Sequence, residues 1–120
     1  APFQGKLRQR LPGASCRILS VRPATDHPQL VSTSRHIAQC MVDVTSEQWD
    51  ETTRTLSGES KVVAGAPYQL RIALPCDGHW KVTNVMAGAP VSSVSPDGSA
   101  GVRVDFTPQL GGTFQWRLQF

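Results

Sequence analysis

The segment that decides the fold closes the sequence: Phe114-Gln115-Trp116-Arg117-Leu118-Gln119-Phe120. Apolar and polar side chains alternate along it without a break. Successive side chains of a β-strand point to opposite faces, so the alternation predicts a strand with one apolar face and one polar face. An apolar face of this kind packs against a core, and Trp116 lies at its centre.

Two earlier segments alternate in the same way and predict two more half-buried strands. Their apolar positions are Tyr68, Leu70, Ile72 and Leu74 in one segment and Val102, Val104 and Phe106 in the other. Shorter strands are predicted at residues 80–85 and 91–94. Proline and glycine mark turns between them at residues 75–78, 87–90, 95–98 and 108–112. This spacing of strands and turns is typical of a β-sandwich.

The N-terminal half is less regular. Residues 16–21 and 37–44 are rich in strand-forming residues and predict two further strands, which the prolines of residues 23–28 separate. Residues 45–57 allow two interpretations. Thr45 and Gln48 form a helix-capping pattern with Gly58 as a suitable stop, whereas the threonines in this stretch favour a strand and a loop.

The sequence therefore predicts an all-β, immunoglobulin-like β-sandwich of about seven strands, in which one short helix near residues 45–57 is an alternative at that segment. The chain has 120 residues, 39% of them hydrophobic and 18% charged, which suits one ordered domain. We place this domain at residues 15–120. Residues 1–14, with Lys6, Arg8 and Arg10, are predicted to form a flexible basic arm.

Charge and composition exclude some classes of protein and indicate a compartment. The net charge of +3 is small and dispersed, so nucleic-acid binding is not indicated. No apolar run approaches the ~20 residues that span a bilayer. The chain opens at Ala1 without an initiator Met, as a processed product or a piece cut from a longer chain does. A processed chain has left the cytoplasm, and on that basis we predict a secreted or periplasmic protein.

The three cysteines suit that compartment. Cys16, Cys40 and Cys76 form no CxxC pair, which argues against a zinc ribbon or a thioredoxin-type site. We predict one disulfide bond that includes Cys40, because Cys40 lies in a strongly apolar strand. Either Cys16 or Cys76 is its partner.

Four residues suggest an alternative chemistry. Cys76 and His79, followed by Met86 and preceded far upstream by His36, match in type and order the ligands of a blue-copper site. In these residues the sequence resembles a cupredoxin, which implies a copper-binding electron carrier. The predicted strand at residues 80–85 would be roughly 20 Å long at ~3.3 Å per residue, and it would carry Met86 away from a metal at Cys76. We therefore predict that no cofactor is bound.

The sequence contains no nucleophile elbow, zinc-protease motif or phosphate-binding loop, so we predict a non-enzyme. Arg71, Arg103 and Arg117, with Lys81 beside them, are predicted to give one sheet a basic face that favours an acidic protein partner. Trp49 and Trp80 could instead present a platform for sugars. We predict an extracytoplasmic binding or assembly module that recognises another protein through a sheet surface or an edge strand, including a C-terminal strand at an edge. A copper protein and a carbohydrate-binding module are the alternatives.

Overall fold

The computed structural model describes residues 4–17, 19–35 and 43–120, and within these ranges it contains eight strands and no helix. The strands are β1 (Gln29–Thr33), β2 (Val44–Asp50), β3 (Thr55–Val62), β4 (Tyr68–Ala73), β5 (Asn84–Ala87), β6 (Val91–Pro96), β7 (Gly101–Phe106) and β8 (Gly112–Gln119). They form two antiparallel sheets. The first sheet has the order β1-β4-β7-β6 and the second has the order β2-β3-β8-β5. No helix in the described ranges is long and apolar enough to cross a membrane.

The alternating apolar residues of both sheets form one core. The first sheet contributes Tyr68, Leu70, Ile72, Val104 and Phe106, and the second contributes Leu56, Phe114, Trp116 and Leu118. Rings meet edge to face across the two sheets, since Phe114 of β8 lies 5.9 Å from Tyr68 and 5.5 Å from Phe106 between ring centroids. The two sheets therefore pack face to face as a β-sandwich.

Most of the strands predicted from alternation are confirmed. Residues 68–73, 101–106 and 112–119 are strands with most of their apolar side chains buried, and residues 91–96 form β6. The prediction for residues 80–85 is wrong in its bounds, because residues 80–83 precede β5. The strand predicted at residues 16–21 is also wrong: the described residues there are exposed and belong to no strand. Of the strand predicted at residues 37–44, residues 37–42 lie outside the described ranges, and Val44 begins β2.

The alternative of a helix near residues 45–57 is wrong, because β2 and β3 form a hairpin there. Asp50 stabilises the turn, since its Oδ1 accepts hydrogen bonds from the backbone N–H groups of Thr52 (2.9 Å) and Thr53 (3.2 Å). Gly58 is not a helix stop but lies inside β3, paired with Trp116 of β8. A Cβ at this position would lie 2.3 Å from Trp116 Cζ2, so only glycine leaves room for the indole.

A chain of buried polar groups crosses the core between the sheets. The hydroxyl groups of Tyr68 (2.8 Å) and Thr33 donate to Asp43 Oδ2. The single phenolic proton of Tyr68 goes to this carboxylate. The Ser60 hydroxyl, 3.0 Å from the phenolic oxygen, therefore donates to that oxygen and accepts a hydrogen bond from Trp116 Nε1 at 2.9 Å. Burial raises the pKa of Tyr68 well above its usual value, and the Asp43 carboxylate raises it further against the opposing effect of Ser60. These bonds satisfy polar groups that would otherwise be costly in a core.

Candidate functional site

The structure does not bring the predicted basic residues onto one face. Arg71 of β4 and Arg103 of β7 are cross-strand partners on the outer face of the first sheet. Arg117 lies on β8 of the second sheet, and Lys81 lies in the loop before β5. These cations therefore point to three different parts of the surface.

Carboxylates accompany the two arginines of the first sheet. Arg71 Nε lies 4.0 Å from Asp97 Oδ2 and Arg103 Nε lies 3.4 Å from Asp105 Oδ2. Desolvation raises the pKa of Asp105, but hydrogen bonds from Gln69 and Ser93 and the charge of Arg103 outweigh it and hold the pKa below its usual value. The outer face of the first sheet therefore carries two cations and two anions rather than a basic patch, and exposed pairs of this kind add little stability.

The two candidate tryptophans meet at one end of the sandwich. The Trp49 and Trp80 rings lie 5.8 Å apart and are inclined at 70°. The ring centroid of Phe120 lies 6.2 Å from that of Trp49 and 6.2 Å from that of Trp80. His27 stacks on Trp49 at 5.2 Å and 7°, and the Arg54 guanidinium lies 4.2 Å from the centroid of Trp80.

In this arrangement other side chains of the protein cover indole faces on which a sugar would stack. His27 covers one face of Trp49, Arg54 covers one face of Trp80, and the steep angle between the indoles prevents a flat joint platform. Glu51 accepts a hydrogen bond from Trp49 Nε1 at 2.6 Å. Since Trp49 and Phe120 also pack against the buried core residues, the cluster is best understood as an extension of the core at this end of the sandwich.

Three of the four residues of the cupredoxin resemblance lie in described parts of the chain, two in one loop and one on β5. Cys76 and His79 are exposed in the loop between β4 and β5. Met86 is exposed on β5 opposite Arg117, and His36 lies outside the described ranges. No group of three or more His, Cys, Asp or Glu side chains that could hold a metal ion occurs among residues 4–17, 19–35 and 43–120.

The disulfide bond stays a prediction. Cys16 and Cys76 are exposed free thiols in the structure. Cys40, the residue we expect in the bridge, lies outside the described ranges. The structure therefore does not select between the two candidate partners.

One side of the sandwich is closed by the chain itself. Ser20 Oγ donates to the carbonyl of Val31 at 2.8 Å, and Arg22 Nη1 donates to the carbonyl of Leu30, so residues 20–22 lie along the edge of β1. Glu47 of β2 accepts from the N–H of Leu30 at 2.9 Å and pairs with Arg22 at 2.8 Å. These bonds join the β1 edge of the first sheet to the β2 edge of the second.

The opposite side, formed by β5 and β6, is open. Val91 and Val94 of β6 pair in register with the buried residues Phe106 and Val104, so they belong to the inner face of the first sheet. They are nevertheless 38% and 46% exposed. Strand β5, an edge strand of the second sheet, has only four residues. We call β6 with these two valines the open side.

Strand β6 has some of the features that protect a sheet edge and lacks charge. It carries no charged side chain, although charges are a common protection of such strands. Pro96 at its end and a register shift between Val91 and Ser93 interrupt the edge in part. The predicted edge position of the C-terminal strand is wrong, because β8 lies between β3 and β5. In the sequence, only the two valines among uncharged residues could have indicated that β6 is an edge strand with exposed apolar side chains.

No family model, no curated protein and no solved structure matches this chain.

Proposed function

We propose that this chain is a non-enzymatic, secreted or periplasmic binding or assembly module of the immunoglobulin-like class, which recognises another protein through the open side. The exposure of Val91 and Val94 is the observation that supports this proposal most directly. Apolar residues of an inner sheet face are normally covered, and larger exposed apolar surfaces mark interaction sites.

An extended segment of a partner would bind by adding a strand beside β6. An edge strand has one row of backbone N–H and C=O groups without a strand neighbour, and an added strand pairs with them. Alternate side chains of that strand would then cover the two valines. Fully burying a valine contributes roughly 1.5–3 kcal/mol, so completing two half-covered valines contributes about half of that for each.

The pairing segment is short, because Pro96 has no N–H and the ladder is irregular between Val91 and Ser93. Contacts with the valines must therefore supply much of the binding free energy and the register. We expect a partner segment with apolar residues on one face. No basic sheet face supports the expectation of an acidic partner, because Arg71 and Arg103 lie beside carboxylates and Arg117 belongs to the other sheet.

The observations favour protein binding over the two alternatives. For a cupredoxin-like copper protein, Cys76, His79 and Met86 would have to enclose one ion, whereas all three side chains are exposed in the structure. For a carbohydrate-binding module, Trp49 and Trp80 would have to present open faces side by side, whereas they meet edge to face.

Affinity capture from the native secreted or periplasmic extract tests the proposal. The wild-type chain is compared with Val91→Lys/Val94→Lys, which places two charges on the open side. Val63→Lys is the matched control, because Val63 is 49% exposed and lies outside the strands. Circular dichroism verifies that all three chains are folded.

A partner that is identified by mass spectrometry, binds the purified wild-type chain and the control, and is lost with the double variant would support the proposal. A partner that binds all three chains with equal affinity would refute the assignment of the open side.

A further inference from the structure

We propose that the peptide bonds after Arg8 and Arg10 form a processing site, at which an arginine-specific protease of the trypsin class separates the preceding chain from a sandwich that stays folded. The reaction is hydrolysis: the C–N bond breaks and one water is consumed. The products carry a new carboxylate on Arg8 or Arg10 and a new amino group on Gln9 or Leu11. The inference is independent of the open side and of its partner.

The segment that contains both bonds is accessible. Residues 4–17 belong to no strand, and every one of them is exposed. A protease binds several residues on each side of the cleaved bond in an extended conformation, so a segment outside the sheets can enter its active site without unfolding of the domain. Leu7 is 45% exposed and Leu11 is 55% exposed, so apolar packing does not hold the segment on the sandwich.

Hydrogen bonds do not hold the segment on the sandwich either. Among the described residues, its side-chain bonds stay within residues 9–17. The first side-chain bond from this part of the chain to a strand is made by Ser20, whose Oγ donates to the carbonyl of Val31 at 2.8 Å. The bonds after Arg8 and Arg10 lie before this contact by ten residues or more.

The two guanidinium groups are available to a specificity pocket. A trypsin-like protease selects arginine by pairing its guanidinium with a carboxylate in that pocket, which requires a side chain without a competing partner. In the parts of the chain that the structure describes, the ion pairs and the cation–π contact of arginines involve Arg22, Arg54, Arg71 and Arg103. Arg8 and Arg10 are therefore better suited to the pocket than these four.

The sheets protect the arginines that lie inside strands. Arg71, Arg103 and Arg117 belong to β4, β7 and β8, and each of these strands has a neighbour on both sides. Cleavage there requires the sandwich to open, and a stable domain is open in only about one chain in 10³ to 10⁶. The hairpin turn before β3 is also held, because the carbonyl of Arg54 accepts a hydrogen bond from the N–H of Phe120 at 3.0 Å.

The cut changes the charge of the remaining chain. Lys6, Arg8 and Arg10 are the first three charged residues of the sequence, and no acidic residue precedes Leu11. The sequence has 12 Lys and Arg against 9 Asp and Glu, so after a cut at Arg10 nine cations remain against nine anions. The formal net charge of +3 leaves with the released segment, and the side chains of the sandwich are left formally neutral.

Limited proteolysis of the folded full chain with the arginine-specific protease clostripain, followed by intact-mass spectrometry, tests the site. We expect the first products to begin at Gln9 or Leu11 and to form on the order of a hundredfold faster than products cut inside the strands. Arg8→Gln/Arg10→Gln should slow the first cut at least tenfold. Arg117→Gln is the matched control, because it changes an exposed arginine of an interior strand, and it should leave the rate of the first cut unchanged.

The isolated product of residues 11–120 supplies a second measurement. We expect its urea unfolding midpoint to equal that of the intact chain, because the removed segment makes no bond to the strands. On a cation-exchange column at neutral pH it should elute well before the intact chain, since the excess of positive charge is gone.

Mass spectrometry of protein recovered from its native compartment tests whether the cut occurs there, and chains that begin at Gln9 or Leu11 would support the inference. Three results would overturn it: a first clostripain cut within residues 20–120, a product of residues 11–120 that is unfolded, or native protein in which every chain keeps Arg8 and Arg10 within one uncut segment.

Discussion

Replacement of Gly58 by alanine would place a methyl group in a space that the structure has already filled. The new Cβ would lie 2.3 Å from Trp116 Cζ2, 2.8 Å from Trp116 Cη2 and 2.6 Å from the backbone oxygen of Ser46. The indole is fully buried and its Nε1 is bonded to Ser60, so it cannot turn away without breaking that bond. The Ser46 oxygen belongs to the backbone of the neighbouring strand and has little freedom to move.

The magnitude follows from two opposing effects. Overpacking a core typically costs 1–3 kcal/mol, and two fixed neighbours place this site toward the upper end, at roughly 3 kcal/mol. Alanine is favoured over glycine inside a strand by ~0.5–1 kcal/mol, which offsets part of the loss. We therefore expect the free energy of unfolding to fall by about 2 kcal/mol. With a urea m-value of roughly 2 kcal/mol per molar, the unfolding midpoint should fall by about 1 M.

Urea unfolding followed by tryptophan fluorescence measures this change. Gly13→Ala is the matched control, because a Cβ at Gly13 meets no atom within 4 Å, and we expect its midpoint to stay within the error. In a Trp116→Phe background the outer ring of the indole is absent, so the loss from Gly58→Ala should shrink by at least about 0.5 kcal/mol. If Gly58→Ala unfolds within about 0.5 kcal/mol of the wild type, the packing of β3 against Trp116 is not as described.

Three further predictions concern the core and the cysteines. Trp116→Ala should lower the free energy of unfolding by at least about 3 kcal/mol in chemical denaturation, since it removes a buried aromatic side chain and a hydrogen bond of Ser60. A loss under about 0.5 kcal/mol would mean that this side of β8 is exposed. Tyr68 is the only tyrosine, so absorbance at 295 nm should show no tyrosinate while the chain is folded. The free energy of unfolding should fall as pH rises past the usual tyrosine pKa of about 10, because the pKa of Tyr68 is higher in the folded state than in the unfolded state. A reversible titration near pH 10 in folded protein would contradict this. Mass spectrometry after thiol labelling without reductant should find one free cysteine if Cys40 is bridged to Cys16 or Cys76, and three labelled thiols in protein from its native compartment would exclude the bridge.

The C-terminal half was predictable because its strands have strict alternation. Trp116 lies between two apolar residues at alternate positions, and a one-residue shift would expose all three, so the sequence determines which face is buried. Strand β3 is different: Thr55–Val62 contains two serines, a glycine and two charged residues, and its burial depends on partners that are distant in sequence. Gly58 shows the difficulty, because its lack of a side chain fits a helix stop as well as a close approach to an indole.

The candidate site was harder to predict than the fold. The alternation of apolar and polar residues correctly predicted that Arg71, Arg103 and Arg117 face outward. It does not predict which sheet a strand joins, and Arg117 belongs to the second sheet. Val91 and Val94 have different parity along the chain, so simple alternation places them on opposite faces. The register shift in β6 puts both on the inner face. A register shift of this kind depends on the pairing with β7, and the six residues of β6 alone do not predict it.

The position of β8 determines when this domain can fold during synthesis. Residues 112–119 are made after the other seven strands, yet they lie inside the second sheet and pair with residues of β3 that are 50 to 64 positions upstream. Until they leave the ribosome, β3 and β5 have no common neighbour and the apolar side of the first sheet has no complete cover. Such distant pairing also slows folding. The nascent chain therefore passes through a period in which apolar strands are exposed.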